Sequence, residues 1–148
     1  MLQPTLEVHM ELSETDFEAV LASATTPADI SKYFTDDCHW EFNSYEEQDA
    51  AIIRAADRAI ELVSSISEGI ELFRAFGAAD GVITREQDTR LFDKLLDIST
   101  TETELTRVFD NFVPGSMSVG EQLHIRRHLR KIFDKADELG VEVKVTIT

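Results

Sequence analysis

The feature that most constrains the fold is a recurring helix-start signal, in which a serine or threonine is followed, in most cases three residues later, by an acidic or amide side chain. In this capping box the hydroxyl accepts a hydrogen bond from a backbone N–H of the first turn, and the later side chain accepts one from the cap residue. The signals begin at Ser13, Thr26, Ser44, Thr84, Thr101 and Ser118. They predict a chain made mainly of helices.

The spacing of apolar residues, together with the start signals, indicates how far each helix extends. The predicted helices are 14–24, 27–35, 45–79, 85–98, 102–112 and 119–139. The 45–79 segment repeats apolar residues at three- and four-residue steps, as the buried stripe of one long helix does. Gly69 is a position at which this helix could bend or divide, with Ser67 as a new cap.

Both ends of the chain alternate apolar and polar residues, which is typical of half-buried strands. The apolar positions are Leu6, Val8, Met10 and Leu12 at one end, and Val141, Val143, Val145 and Ile147 at the other. Isolated strands are unstable, so we expect the two to pair, with a third short strand at 39–43. The expected fold class is mainly α (α+β), a helical bundle around a long central helix with a small antiparallel sheet that includes the N- and C-terminal strands.

Length and cysteine content indicate a single domain over residues 1–148 in a reducing compartment. A chain of 148 residues fits one domain, and no repeat or proline-rich linker divides it. Cys38 is the single cysteine, so no intramolecular disulfide forms. The first residues lack a basic segment followed by an apolar run, and no apolar stretch is long enough to span a bilayer. These features predict a cytoplasmic protein without a membrane association.

Negative charge is concentrated in the first third of the chain. The formal net charge is −15, and residues 1–50 hold twelve acids against one base, Lys32. Direct binding to nucleic acid needs a basic footprint, so it is not expected. Such a field speeds association with a basic protein surface, which is the predicted partner. The alternative is that the acidity serves solubility or adaptation to salt.

This charge favours a non-enzymatic acidic binding or inhibitory protein, acting as a nucleic-acid mimic or in an immunity-like role. No serine-nucleophile motif, phosphate-binding glycine loop or dinucleotide fingerprint is present, so no catalytic residue is predicted. Aromatic residues near the acids are candidate anchors of the interface. The predicted interaction residues are Asp29, Asp36, Asp37, Trp40, Glu41, Tyr45, Glu46, Glu47 and Asp49. The oligomeric state is left open.

The alternative function is metal binding by the segment EQLHIRRHLRK, residues 121–131. On a helix, Glu121, His124 and His128 lie along one flank of the arc predicted to face the core. The residues of that arc are Ile125, Leu129, Ile132, Phe133, Ala136 and Leu139. Carboxylate and imidazole are ligands for a divalent transition metal, so the three form a candidate site of a metal-binding protein or metalloenzyme. Glu121 is also explained as the capping partner of Ser118. Without this site, no cofactor is predicted.

The same segment carries a basic outer face, made of Arg126, Arg127, Arg130 and Lys131. An acidic protein needs some neutralisation to relieve self-repulsion, so these bases are expected to pair with acids of the same chain. The alternative is an anchor for phosphate or for an acidic partner.

Residues 76–87, FGAADGVITREQ, resemble the end of an EF-hand loop and the acidic turn between helices in the TerB family of tellurite-resistance domains. If Gly81 takes the glycine position of an EF-hand loop, the ligand positions fall on Phe76, Ala78, Asp80 and Gln87. Calcium takes six or more oxygen ligands, and this set offers one carboxylate. The segment therefore predicts a turn between two helices and no calcium site.

Overall fold

The computed structural model of the protein describes residues 10–33, 38–78, 84–112 and 119–143. In chain order the elements are β1 (Met10–Leu12), α1 (Glu14–Ser23), α2 (Ala28–Ser31), β2 (Cys38–Trp40), α3 (Tyr45–Leu62), α4 (Ile66–Ala78), α5 (Arg85–Ile98), α6 (Glu102–Phe112) and α7 (Val119–Leu139). Helices make up most of the described residues, and a helical bundle fits them. The helical part of the expected fold class is confirmed.

The predicted capping boxes account for several helix starts. At α1 the Asp16 N–H donates to the Ser13 hydroxyl at 3.2 Å, and the Ser13 N–H donates to the Asp16 carboxylate at 2.9 Å. At α6 the Glu104 N–H donates to the Thr101 hydroxyl at 3.2 Å. Local hydrogen bonds of this kind depend on a few consecutive residues, which is why the sequence predicts these boundaries well.

The predicted central helix over 45–79 is divided at residues 63–65 into α3 and α4. The Glu68 N–H donates to the Ser65 hydroxyl at 3.2 Å, while the Glu68 carboxylate accepts from the Ser64 N–H at 3.0 Å. This capping box starts a new helix ahead of Gly69, the position at which the sequence suggested a division. The prediction of one long central helix is therefore wrong.

The predicted antiparallel sheet of the two chain ends is also wrong. The short strands β1 and β2 pair in parallel, with Met10 opposite Cys38. Parallel strands need a crossover of a dozen or more residues, and α1 and α2 lie in the segment between them. At the other end of the chain, residues 141–143 are not in a strand, and residues 144–148 lie outside the described part.

The chain divides into two compact units. The first contains the described residues among Met1–Leu62 and Leu72–Thr84. Within it, α2 contacts both α1 and α3, and β1 contacts α1. Phe17 of α1 is buried and meets Phe42 edge-on, with 5.6 Å between the ring centroids, and Ile30 of α2 is fully buried. The core of this unit therefore includes residues of α1 and α2, with an aromatic contact between Phe17 and Phe42.

The second unit contains Val63–Glu71 and the described residues among Arg85–Thr148. Here α5, α6 and α7 each contact the other two. Phe92 of α5 is fully buried, with its ring centroid 5.6 Å from that of Phe112 on α6. Ile132 of α7 is also fully buried. This packing brings one side of α5 against α7 and so positions the candidate site.

Among the described residues, the helices lack an apolar segment of the length that a membrane span requires. The assignments to a single domain over residues 1–148 and to the cytoplasm stay predictions.

Candidate metal centre

Three side chains with metal-binding atoms meet between α5 and α7. Asp88 lies in the first turn of α5, and His124 and His128 lie one turn apart on α7. One ligand atom from each of the three lies within 4.8 Å of the other two. We refer to Asp88, His124 and His128 as the His–Asp–His cluster.

The carboxylate of Asp88 lies between the two imidazoles. His124 Nε2 is 2.8 Å from Asp88 Oδ2, which is a hydrogen bond donated by the imidazole N–H, because an ionised carboxylate only accepts. His128 Nε2 is 3.6 Å from Asp88 Oδ1, which is too long for a hydrogen bond. The two imidazole centroids are 4.3 Å apart. Each carboxylate oxygen therefore faces one Nε2 atom.

His128 is the most buried member of the cluster. Its side chain is 1% exposed, compared with 19% for His124 and 20% for Asp88. Its ring stacks on Phe92 at a centroid distance of 3.9 Å. Asp88 Oδ1 and both ring nitrogens of His128 have no hydrogen-bond partner among the described residues. Since an unpaired buried polar group costs about 1–3 kcal/mol, a proton or cation between Oδ1 and Nε2 would stabilise the site.

The cluster also shifts the ionisation of its carboxyl group. Burial raises the pKa of Asp88, but its interactions with His128 and then with His124 lower it more, and the net result is a pKa below the ordinary value of 3.8. Asp88 is therefore an ionised, acceptor-only ligand at neutral pH.

The spacing of the donor atoms fits a small transition-metal ion. Tetrahedral zinc with bonds of about 2.0–2.2 Å places neighbouring ligand atoms roughly 3.3 Å apart. The spacings are 2.8 Å from His124 Nε2 to Asp88 Oδ2 and 3.6 Å from His128 Nε2 to Asp88 Oδ1, so each imidazole and the carboxylate oxygen it faces lie close to that value. Two imidazoles and one carboxylate form the ligand set of open zinc sites and of iron(II) facial triads. A metal ion on Nε2 would leave Nδ1 of His128 without a partner among the described residues.

The sequence anticipated two members of this cluster and missed the third. His124 and His128 are brought together, whereas the side chain of Glu121 lies outside the described part of the structure, so its predicted role stays a prediction. Asp88 was missed although it carries a signal. It stands three, four and seven residues before Leu91, Phe92 and Leu95, which are all buried. A carboxylate on such an apolar stripe indicates a buried polar interaction.

The basic outer face of α7 pairs with acids of the chain only in part. Lys131 Nζ lies 2.8 Å from Asp93 Oδ1. Arg126, Arg127 and Arg130 are exposed, and none has an ion pair with a carboxylate among the described residues. Lys131 therefore forms an expected internal pair, whereas for these three arginines the expectation stays a prediction.

The predicted interaction residues fall into three groups. Exposed residues cluster at and before the start of α3, and these are Glu41, Tyr45, Glu46, Glu47 and Asp49. Asp29 is instead half-buried and hydrogen-bonded within its own helix start. Asp36 and Asp37 lie outside the described residues, as does the side chain of Trp40, although its backbone belongs to β2.

Comparison of the chain with protein-family models, with curated proteins and with solved structures gives no match. The chain is therefore assigned to no family.

Proposed function

We propose that the protein binds a divalent transition-metal ion at the His–Asp–His cluster. The observation that carries the proposal is the buried ring of His128, whose Nε2 lies 3.6 Å from Asp88 Oδ1 while neither atom has a hydrogen-bond partner among the described residues. An ion bound by both atoms and by His124 Nε2 satisfies them at once. It also offsets the negative charge of the ionised carboxylate.

The ligand set selects the class of metal. Imidazole suits zinc, copper, iron and nickel, whereas calcium and magnesium take oxygen ligands. Among the described residues, three side chains contribute ligands, which leaves one or more coordination positions for water or another molecule. His124 and Asp88 are each about one-fifth exposed, which gives solvent access to that side of the cluster. The proposed centre is therefore open and not a closed structural site.

The test is a metal titration of the chelator-treated, desalted protein with Zn²⁺ and Co²⁺. We expect one ion per chain, and Co²⁺ to produce visible absorption bands that report its coordination geometry. Asp88→Asn keeps the shape of the side chain but removes its charge. It should weaken binding by more than the roughly 10- to 100-fold typical of changes outside the ligand shell. Affinity should also fall as the pH is lowered, because the ligands must be deprotonated.

The chain offers a matched control on the same helix. Asp93→Asn makes the same chemical change five residues later and breaks only the pair with Lys131. It should leave metal affinity unchanged, whereas His124→Gln should weaken it. If the wild-type protein binds no stoichiometric metal, or if Asp88→Asn and Asp93→Asn bind equally well, the proposal is wrong.

A second candidate function comes from the exposed acidic surface at the start of α3, made of Glu41, Tyr45, Glu46, Glu47 and Asp49. Tyr45 is 87% exposed, and the four acids are exposed as well. An aromatic residue on a single-sign surface suits an interface anchor with electrostatic steering. We propose that this surface docks on a basic protein surface in the cytoplasm, as an inhibitor or nucleic-acid mimic.

A further inference from the structure

A groove lined by three arginines lies beside the His–Asp–His cluster, between the first turns of α5 and the adjoining part of α7. Its lining residues are Arg85, Glu86, Thr89, Arg90, Leu123, His124 and Arg127. The groove therefore carries three guanidinium groups against one carboxylate. This is a local reversal of charge in a chain whose net charge is −15.

Two of these guanidinium groups form no ion pair within the part of the chain that the structure describes. Arg85 and Arg127 are exposed, and neither has an ion pair with a carboxylate among the described residues. Arg54, in contrast, donates two hydrogen bonds to Glu18, at 2.6 Å and 3.0 Å. A guanidinium presents donors in a planar fork that matches an oxyanion. Arg85 and Arg127 therefore keep these donors for another acceptor.

The groove reaches the cluster through a shared residue. His124 lines the groove, and its Nε2 is hydrogen-bonded to Asp88. The groove also lies at the first turn of α5, where the helix dipole adds partial positive charge. An anion held by Arg85 and Arg127 would thus be adjacent to a metal ion that still has open coordination positions.

We propose that the arginine groove holds a small oxyanion ligand, a phosphate or a dicarboxylate, that occupies an open coordination position of the metal at the His–Asp–His cluster. This inference rests on the proposed metal-binding function. The arginines neutralise the charge of the anion and orient it, while the metal binds one of its oxygen atoms. Phosphate and dicarboxylate share this chemistry, and the experiment separates them.

The test uses Co²⁺-loaded protein freed of excess metal, titrated with inorganic phosphate and, separately, with succinate. We expect saturable binding of at least one of them and a shift of the Co²⁺ absorption bands, since an anion oxygen replaces water on the metal. Arg127→Gln and Arg85→Gln should each weaken binding about tenfold or more, as loss of charge-assisted hydrogen bonds does. Binding of phosphate alone identifies a phosphate ligand, and tighter binding of succinate identifies a carboxylate.

Arg126→Gln is the matched control, because Arg126 is the neighbouring exposed arginine of α7 and does not line the groove. It should bind the anion as the wild type does, and circular dichroism should show that all three variants are folded. If the protein holds Co²⁺ but binds neither anion, or if Arg127→Gln and Arg126→Gln behave alike, this inference is overturned while the metal proposal stands. If the protein holds no metal, the absorption bands are absent and the metal proposal itself fails.

Discussion

Asp29 shows how much local order one carboxylate provides at the residue scale. Its Oδ2 atom accepts from the backbone N–H groups of Thr25 and Thr26, each at 3.0 Å, and from the Thr25 hydroxyl at 3.1 Å. These bonds to the charged form, led by the Thr25 N–H, lower the pKa of Asp29 from 3.8 to about 2. The side chain predicted to contact a partner is therefore engaged in starting α2.

We predict that Asp29→Asn lowers the free energy of unfolding in a pH-dependent manner. A carboxyl group whose pKa is lowered on folding stabilises the protein above its unfolded pKa and loses that contribution as the pH falls through the folded value. The difference in the free energy of unfolding between wild type and variant should have its full value above about pH 4 and should vanish towards pH 2. Urea unfolding at several pH values measures it.

The control for this prediction is Asp49→Asn, which removes an exposed carboxylate of α3. It should leave the free energy of unfolding nearly unchanged at every pH. A wild-type advantage over Asp29→Asn that persisted unchanged at pH 2 would contradict the assigned role of Asp29.

At the scale of elements, the rotation of α7 decides which of its residues reach the core. The sequence placed Ile125, Ile132 and Phe133 on the buried arc and the histidines on its flank. In the structure Phe133 is 45% exposed, and the buried positions among the described side chains of α7 are Ile125, His128, Ile132 and Ala136. The buried stripe therefore passes through His128. Packing against α5, where His128 stacks on Phe92, outweighs the apolar surface of one phenylalanine.

The packing of α4 on α5 gives a second prediction at this scale. A Cβ atom at Gly69 would overlap the side chain of Leu95, which is fully buried. Alanine favours a helix over glycine by about 1 kcal/mol, but overpacking a core costs about 1–3 kcal/mol. We expect Gly69→Ala to be destabilising overall, by about 1 kcal/mol, measured as a lower urea midpoint.

A double-mutant cycle separates overlap from other effects of this change. Leu95→Ala alone creates a cavity, and adding Gly69→Ala fills part of it, so the loss of stability in the double variant should be smaller than the sum of the two single losses. Additive losses would show that the two positions do not contact each other.

At the scale of the whole molecule, charge is distributed unevenly along the chain. The first 50 residues hold twelve acids and one base, whereas three arginines line the groove beside the His–Asp–His cluster. Fields of single sign change association rates by factors of about 10 to 1,000 and are screened by salt. The two proposed sites should therefore respond to ligands of opposite charge.

For the acidic surface, we predict salt-sensitive association with a basic partner. After capture of a partner from host lysate at low salt, Glu46→Lys with Asp49→Lys should slow its association about tenfold or more. Raising the salt concentration should also slow the association of the wild-type protein, because salt screens the charges. Surface plasmon resonance on the purified pair measures both effects.

A control variant reverses the same number of charges at a different place on the protein. Glu102→Lys with Glu138→Lys changes the net charge by the same amount at exposed positions in the other unit. It should slow association much less. Equal effects of the two pairs, or a rate that is independent of salt, would contradict docking through this surface.

Features that depend on neighbouring residues can be read from the amino-acid sequence alone. The helix starts at Ser13 and Thr101 follow from capping boxes, because their hydrogen bonds join residues three positions apart. The start of α4 also follows from a local signal, the hydrogen bond between Glu68 and Ser65. The apolar repeat of the 45–79 segment continues through this position and therefore predicted one unbroken helix. The mainly helical character of the chain is the sum of such local preferences.

Features that join distant segments depend on how the helices pack and cannot be read from local patterns. The parallel pairing of β1 with β2 depends on the path of the intervening helices, which strand periodicity does not specify. Asp88 meets His124 and His128 across separations of 36 and 40 residues, and their meeting depends on how α5 and α7 rotate as they pack. The two histidines of the candidate site were therefore predictable from the sequence, whereas the part that Asp88 plays became visible only from the packing of α5 on α7.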